Sequence, residues 1–341
     1  MRRTAIACLL GLCVLVGWTV TSVAADSPIA VQIGVNGALT EAPFHIAQSK
    51  GYFQAEGLDV HFVPFVSAAN MIAPLGAGQL DAGGGAPTAG LYNAVARGID
   101  VRAVADLGSD PPGYGFQRLI VRTALVTSGR FKTVKDLKGM TVAVAAQGAT
   151  AYVAIGTLLN KAGLKREDVK LTYLGYSDSV AAMRNGAIDA ALMPEPNATF
   201  AVTAGIAKMI EGDDAFYPNQ QVAVLIYGHT FLKDHRDLGV RFMRAYLRGV
   251  RYYDGALKGG KLAGPNANDV IAIMSAATSL KDEAVYRALT PHSVNAKGYV
   301  NLVSMNSDLA SLRSDGLVES QALKAEDAVD NGFVTEALKS P

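Results

Sequence analysis

Strand-like apolar runs alternate with helical segments through the first two thirds of this chain. The candidate strands are 29–35, 58–64, 80–83, 101–106, 119–121, 141–145, 169–174, 188–193 and 222–227. The segments between them, such as Pro43 to Lys50 and Ala149 to Ala162, have helical patterns. Strands separated by helices of this length are typical of parallel sheets with βαβ crossovers. After Thr230 the pattern is helical only.

This order of segments predicts an α/β protein with two lobes. The chain begins in one α/β unit, passes through a second and ends in helices that return to cover the first. We therefore predict that residues 26–122 and 226–341 form lobe 1 and that residues 123–225 form lobe 2. Each lobe is expected to be a mostly parallel sheet flanked by helices, with the C-terminal helices packing on lobe 1.

Residues 1–25 have the features of an export signal. Arg2 and Arg3 precede an apolar run from Ala5 to Val20, and small residues follow. The run is shorter than the roughly 20 residues that span a bilayer core. We therefore predict a signal peptide that is cleaved after Ala24 or Ala25, a periplasmic location and no stable membrane insertion after cleavage, rather than an uncleaved anchor.

Removing that segment also removes the only two cysteines, Cys8 and Cys13. A mature chain without cysteine has no thiolate nucleophile, zinc–thiolate site or iron–sulfur cluster. The histidines never fall three or four residues apart, so we predict neither a metal site nor a cofactor. With 31 basic and 30 acidic residues, the chain has no excess charge for a phosphate backbone, which excludes nucleic acid as a partner.

Several short motifs occur in a characteristic order along the chain. They include APFHIAQSKGYFQAEGLDV (42–60), AGQLDAGGG (77–85), DLKGMTVAV (136–144), NGAIDAA (185–191) and PEP (194–196). As a set they resemble the periplasmic substrate-binding proteins of ABC importers for nitrate, taurine, aliphatic sulfonates and pyrimidine thiamine precursors, the NMT1/THI5-like group. The resemblance extends from about Val31 to Ile210.

The resemblance implies a type II-like periplasmic binding protein fold whose two lobes close on a small ligand. It also implies a monomeric receptor, with the transmembrane subunits of an ABC permease as partners. The alternative is an enzyme on the same scaffold, since the wider fold group includes a pyrimidine synthase and a sulfinate-releasing hydrolase. Both of those rely on cysteine, which the mature chain lacks, so we predict that the protein is not an enzyme. A binding protein coupled to a sensory receptor shares every one of these sequence features.

In open α/β sheets the ligand lies beyond the carboxyl ends of the strands, where loops lead into helix N-termini. The backbone N–H groups of such loops bind anions without arginine or lysine. The candidate ligand-binding residues are Asn36, Thr40, Phe44, Ser67, Ala68, Ala69, Gly85, Ala86 and Thr88 from lobe 1, and Gln147, Thr150, Tyr176, Ser177, Asp178 and Glu195 from lobe 2.

Several of these candidates have a structural alternative. Ser67, Thr88 and Asp178 stand where hydroxyl or carboxylate groups cap helices, and Phe44 is equally suited to the core. Glu195 is suited either to an amine-bearing ligand or to a contact between the lobes. The absence of arginine from these loops, with Phe44, Tyr114 and Tyr176 as candidate walls, favours an organic acid or sulfonate with an apolar or aromatic body over nitrate.

Overall fold

Two five-stranded sheets, each flanked by helices, form the framework of the molecule. The computed structural model describes residues 27–339. In chain order the strands of the two sheets are β1 (Ile29–Val35), β2 (Leu58–Pro64), β3 (Ala82–Gly85), β4 (Arg102–Asp110), β5 (Gln117–Arg122), β6 (Thr141–Val144), β7 (Lys170–Tyr173), β8 (Ala190–Pro194), β9 (Ala207–Gly212) and β10 (Gln220–Tyr227). A separate hairpin pairs β11 (Leu257–Lys258) with β12 (Lys261–Leu262).

The two sheets have the same internal layout. The first has the order β2-β1-β3-β10-β4 and the second the order β7-β6-β8-β5-β9. In the first, β1 is parallel to β2 and β3, whereas β10 is antiparallel to β3 and β4. In the second, β6 is parallel to β7 and β8, whereas β5 is antiparallel to β8 and β9. Each sheet therefore contains one antiparallel strand that arrives from the other sheet.

The chain passes between the sheets twice. Residues 111–116 join β4 to β5, and residues 213–219 join β9 to β10. The crossing strand β5 thus belongs to the second sheet and β10 to the first. The lobe limits after residues 122 and 225 stay a prediction. In the structure, the chain passes from one sheet to the other at the two connections.

Helices cover both faces of the sheets. They are α1 (Ala42–Ser49), α2 (Tyr52–Ala55), α3 (Ile72–Gly76), α4 (Ala89–Ala96), α5 (Thr123–Thr127), α6 (Thr150–Lys161), α7 (Tyr176–Arg184), α8 (Asn197–Thr203), α9 (Asp213–Phe216), α10 (Arg236–Asp254), α11 (Ala267–Ala277), α12 (Glu283–Ala288), α13 (Leu302–Ser314) and α14 (Gly332–Lys339). None of these helices combines the length and the apolar character that a membrane crossing needs. The predicted signal peptide and its cleavage sites lie outside the described residues.

Strand β3 consists of an alanine and three glycines because its neighbours leave no space for side chains. A Cβ atom at Gly84 would lie 2.6 Å from Cε2 of Phe44, and one at Gly83 would lie 3.0 Å from Sδ of Met71. Real Cβ atoms essentially never approach other atoms as closely as at Gly84, and the contact at Gly83 would be tighter than nine in ten real Cβ contacts. The glycines therefore let α1 and the turn before α3 pack directly on the sheet.

The long helix α10 packs against α1, α2 and α14 over the first sheet. This layer is rich in aromatic rings, among them Phe44, Phe242 and Tyr246. The ring centroids of Phe44 and Tyr246 lie 5.4 Å apart, and those of Phe44 and Phe242 lie 6.4 Å apart. Burial of such rings supplies much of the free energy that stabilises a core without disulfides. Helix α13 instead contacts α4, α6 and β10, and so touches the first sheet and a helix that packs on the second.

Two segments differ from the sequence-based expectation. The strand predicted at residues 101–106 continues to Asp110 in the structure, because Leu107 is fully buried and the strand pairs with β10 as far as Gln220. Strand β9 was not predicted at all. Only the first and last of its six residues are buried, and it lies at the edge of the second sheet, so it lacks the continuous apolar run of a central strand.

Candidate functional site

Two adjoining cavities lie where loops of the two sheets face each other. The smaller one, here called the inner cavity, has a volume of about 30 Å³. The larger one, the outer cavity, has a volume of about 450 Å³. Asn36 and Tyr176 line both, so the two cavities are neighbours separated by these side chains. Residues from both sheets and from the C-terminal helical region contribute to the walls.

Backbone and small side chains form most of the inner cavity. Gly85 and Ala86 follow β3, and Ala149, Thr150 and Ala151 begin α6. Gly85 has a φ of +155°, and a Cβ atom there would lie 2.7 Å from Cβ of Ala68. Only glycine is compatible with this backbone and this close approach.

The N-terminus of α6 lies in the wall of the inner cavity. Ala149, which precedes the helix, provides no side-chain cap. The first N–H groups of a helix have no acceptor within the helix and carry partial positive charge. The wall of the inner cavity is thus suited to an anionic or strongly polar group.

Hydrogen bonds fix the neighbouring side chains in place. The Thr150 hydroxyl donates to the Val222 carbonyl at 3.1 Å, and Gln220 Nε2 donates to the Thr150 carbonyl at 3.2 Å. Gln117, which lines the inner cavity, donates through Nε2 to Asp213 Oδ2 at 2.9 Å. The first two bonds attach the start of α6 to β10, and the third joins the start of β5 to the residue after β9.

The outer cavity has apolar and aromatic walls. They include Phe62, Phe65, Tyr176 and Leu280. The ring of His45 lies 4.8 Å from that of Phe62, measured between centroids, and burial lowers the pKa of His45 to about 4. The imidazole is therefore neutral at physiological pH.

A buried carboxyl group, Glu41, lies in the wall of the outer cavity. Its side chain accepts hydrogen bonds from the backbone N–H groups of Asn36, at 2.5 Å, and Gly37, at 3.0 Å. Burial raises the pKa of Glu41 to about 8, although these two donors oppose the shift. The carboxyl is therefore mostly protonated near pH 7. Oδ1 of Asn36 is buried and has no hydrogen-bond partner within residues 27–339.

The charge of the two cavities is set by carboxyl groups. Among the described residues that line them, Glu41 and Asp178 are acidic, and there is no lysine or arginine. Within residues 27–339, no group of three or more His, Cys, Asp or Glu residues is arranged to hold a metal ion.

The structure brings part of the predicted set together. Asn36, Thr40, Gly85, Ala86, Thr150 and Tyr176 line the inner cavity, and Ser177 and Asp178 line the outer cavity together with Asn36 and Tyr176. Asp178 lies in the first turn of α7 but makes no side-chain cap. The direct contact of all these residues with a ligand stays a prediction.

The other predicted residues lie outside both linings. Thr88 caps α4 by accepting from the Leu91 N–H at 3.3 Å, and Ser67 donates to Asn70 Oδ1 at 2.8 Å. Phe44 is fully buried in the core, and Ala68 supports Gly85 from behind. Ala69, which follows it, is half-buried, and Gln147 is exposed.

Glu195 combines a side-chain and a backbone role. Its carboxyl accepts from the N–H and the hydroxyl of Thr199, each at 2.8 Å, and burial raises its pKa to about 7. Its carbonyl accepts from the Leu39 N–H at 3.0 Å, which joins the loop after β8 to the loop after β1. A second bond of this kind runs from the Ala89 N–H to the Gly148 carbonyl at 2.9 Å.

Some lining residues were not predicted from the sequence. Glu41 lies in the predicted binding loop after β1, and His45 follows that loop directly. The position of Glu41 in the loop was the sequence signal that could have indicated it. Gln117 begins β5, and Leu280 ends the segment 277–280 after α11. Nothing in the local sequence pattern of 277–280 indicates that the C-terminal region returns to this cavity.

The sequence model of the family described as NMT1/THI5 like matches residues 40–254, more than half of the chain. The chain belongs to the NMT1/THI5-like family. This membership confirms the resemblance carried by the motifs between residues 42 and 196.

The relative and the two solved structures described next are binding proteins by name. A protein of Escherichia coli K12 with the provisional name aliphatic sulfonates-binding protein is 29% identical over 191 residues, 55% of this chain and 56% of that protein. The chain thus matches about half the length of this curated relative. By name this relative is a binding protein rather than an enzyme, in agreement with the prediction.

Solved structures share the fold of this NMT1/THI5-like chain. The alkanesulfonate-binding protein of Xanthomonas axonopodis pv. citri, bound to MOPS, superposes with a TM-score of 0.70 at 20% identity, covering 90% of this chain and 99% of that one. The periplasmic nitrate-binding protein of Synechocystis PCC 6803 gives a TM-score of 0.76 at 13% identity, covering 91% and 88%. They confirm the predicted two-lobed α/β fold.

Proposed function

We propose that this protein is an extracytoplasmic solute receptor that binds a small organic ligand between its lobes and delivers it to an ABC importer. The observation that carries the proposal is the pair of adjoining cavities between the loops of the two sheets. Family membership supports it, because the relatives described above are binding proteins. The partners would be the transmembrane subunits of an ABC permease, the location periplasmic, and the receptor a monomer.

The ligand that we propose is an organic acid or sulfonate with an apolar or aromatic body. Its acid group would enter the inner cavity, where the N-terminus of α6 and the backbone at Gly85 and Ala86 offer N–H donors. A volume of about 30 Å³ suits a single small polar group rather than a whole ligand. The body would occupy the outer cavity, against Phe62, Phe65 and Tyr176.

Glu41 is compatible with an acidic ligand because of its protonation state. Its pKa of about 8 leaves the side chain mostly neutral near pH 7. A neutral carboxyl does not repel an anion, whereas an ionised one does. The site would therefore admit an organic acid at neutral pH and disfavour it in alkaline solution.

Binding would act through closure of the lobes. A ligand that touches Asn36 on one side and Thr150 or Tyr176 on the other contacts elements of both sheets. Such a ligand stabilises the closed arrangement by its differential affinity for it. The permease would then distinguish the loaded receptor from the empty one.

Thermal-shift measurements with matched ligand pairs test this proposal. Each pair consists of an aromatic or alkyl acid and the uncharged amide of the same body, for example benzenesulfonate and benzenesulfonamide, with nitrate and taurine as further samples. We expect an acid with an apolar body to raise the melting temperature of the mature protein, because a ligand of the folded state stabilises it. Equal shifts with acid and amide would contradict the acid-group assignment, and turnover of any sample would contradict the receptor function.

A further inference from the structure

Two buried carboxyl groups meet where the chain crosses between the sheets. Asp110 ends β4, directly before the first connection, and Asp213 follows β9, at the start of the second. Both side chains are fully buried, with 0% exposure. Each lies within hydrogen-bonding reach of the other.

The surroundings of this pair offer few donors. Neither oxygen of Asp110 has a hydrogen-bond partner among residues 27–339, and neither has Oδ1 of Asp213. The backbone N–H of Gln117 faces both carboxyls without a hydrogen bond of good geometry. The remaining oxygen, Oδ2 of Asp213, accepts from Gln117 Nε2 at 2.9 Å.

Two adjacent carboxylates without a bonded cation cannot both be ionised in a buried site. A single proton resolves the conflict, because it turns one carboxyl into a donor for the other. Burial, followed by the charge of Asp213, raises the pKa of Asp110 well above its ordinary value, so Asp110 is the group that holds the proton. The pKa of Asp213 rises less, to about 6.

We propose that Asp110 and Asp213 share one proton, with the protonated Asp110 donating to the ionised Asp213, and that this bond positions Gln117 beside the inner cavity. Asp110 and Asp213 are then positioning residues, since they act through Gln117. Gln117 in turn lies 3.3 Å, measured from Nε2, from Oε1 of Gln220, the first residue of β10. The contacts among Asp110, Asp213, Gln117 and Gln220 therefore join the residues at the ends of both connections between the sheets.

Other titratable groups face this region from every neighbouring element. Asp214 accepts from the Gly113 N–H at 2.8 Å, and Asp308 accepts from Tyr217 at 2.6 Å and Gln220 at 2.9 Å. Arg118 donates to the Gly115 carbonyl and to Met209, and bonds neither Asp110 nor Asp213 within the described structure. The remaining groups are Tyr114, Tyr253 and His292, and burial lowers the pKa of His292 to about 3, so it is neutral.

Loss of the shared proton places two negative charges in a buried contact between the connections. Repulsion would then separate Asp110 from Asp213 and release Gln117 from its position in the inner cavity wall. The consequence for ligand affinity rests on the proposed function, whereas the shared proton itself does not. The two parts can therefore be tested separately.

Thermal unfolding from about pH 5 to pH 9 tests the shared proton. Asp110→Asn supplies an amide donor to Asp213 at every pH, and Asp213→Asn supplies one to Asp110 while still accepting from Gln117. The melting temperature of the unaltered protein should fall as the pH rises over this range. We expect the melting temperature of either variant to fall less, by a difference of about 3 °C or more. Asp254→Asn, which changes an exposed carboxyl at the end of α10, should leave the profile unaltered.

The outcomes are distinct from a merely structural effect. A variant that loses the same number of degrees at every pH, or that keeps the full pH dependence, would overturn the shared proton. If Asp110→Asn does not fold, Asp213→Asn provides the same comparison.

Spin labels test the positioning effect without any ligand. The described residues contain no cysteine, so Gln54→Cys on α2 and Lys161→Cys at the end of α6 provide exposed attachment sites on opposite lobes. We expect the distance distribution between the labels to shift as the pH rises, and not to shift in the Asp110→Asn background. A distribution that is independent of pH would overturn the positioning role, and failure to find any ligand would affect neither measurement.

Discussion

The inner and outer cavities adjoin each other, yet they are built from different chemical groups. The inner cavity is formed mostly by loop backbone, a helix N-terminus and small side chains, with Phe116 and Tyr176 beside them, whereas the outer cavity has several aromatic rings and Glu41 in its wall. Backbone donors held by the fold recognise a common polar group, and side chains determine which body can follow it. We infer that the inner cavity determines the class of ligand and that the outer cavity determines which ligand of that class binds.

The largest effect should come from filling the inner cavity wall. In Gly85→Ala the new Cβ atom would lie 2.7 Å from Cβ of Ala68 at a φ of +155°. We expect a loss of about 2 to 4 kcal/mol in the free energy of unfolding, measured by denaturant titration, and no detectable ligand binding.

Gly98→Ala is the matched control for that substitution. Gly98 also has a positive φ, +76°, but a Cβ atom there would meet nothing within 4 Å. Its cost should be limited to conformational strain of about 1 kcal/mol, with binding retained. Similar behaviour of the two variants would show that the inner cavity wall has no special role.

The next largest effect is expected at the boundary between the cavities. Asn36→Ala removes an amide whose Oδ1 has no partner within residues 27–339, so little folding energy depends on it. We expect an affinity loss of about tenfold or more by isothermal titration calorimetry, with the melting temperature nearly unchanged. Asn160→Ala, at an exposed position late in α6, should change neither quantity. Unaltered affinity in Asn36→Ala would show that the Asn36 amide does not contact the ligand.

Because Glu41 lies in its wall, the outer cavity should differ from the inner cavity in how stability and ligand affinity depend on pH. The pKa of Glu41 in the folded chain, about 8, lies above the ordinary value of 4.5. The stability that it contributes is therefore complete below about pH 4.5 and is lost as the pH rises through about 8. For an acidic ligand we also expect the affinity to fall several-fold between about pH 7 and pH 9, as the carboxylate forms.

Glu41→Gln tests both effects of that ionisation. The variant cannot ionise, so its affinity for the acid should be independent of pH over the same interval, as measured by calorimetry. An unaltered pH profile in this variant would mean that another group controls the dependence.

The smallest effect should come from the Tyr176 hydroxyl. The ring lines both cavities, and burial raises the pKa of the phenol above its ordinary value, so it stays neutral. We expect Tyr176→Phe to bind within about threefold of the unaltered protein, because the apolar wall remains, and Tyr176→Ala to lose about tenfold. A large loss in Tyr176→Phe would instead assign the hydroxyl a direct hydrogen bond to the ligand.

The sequence predicted the parts of this site that follow buried strands. Loops after β1 and β3 and before α6 and α7 could be chosen because apolar runs marked the strand ends. What the pattern could not show was burial of a charged residue such as Glu41, or the return of residues 277–280 to the outer cavity. Both depend on contacts between segments far apart in the chain. Strand β9 was missed for a related reason, since an edge strand is defined by its partner more than by its own composition.

The position of the acid group in a bound ligand tests the central claim most directly. A crystal structure with a ring-brominated aromatic acid would locate the bromine by anomalous scattering and the acid by its density. We expect the bromine in the outer cavity near Phe62 and Phe65, and the acid oxygens within about 3 Å of the first N–H groups of α6. An acid group beside Glu41, or a ligand bound outside both cavities, would contradict the account.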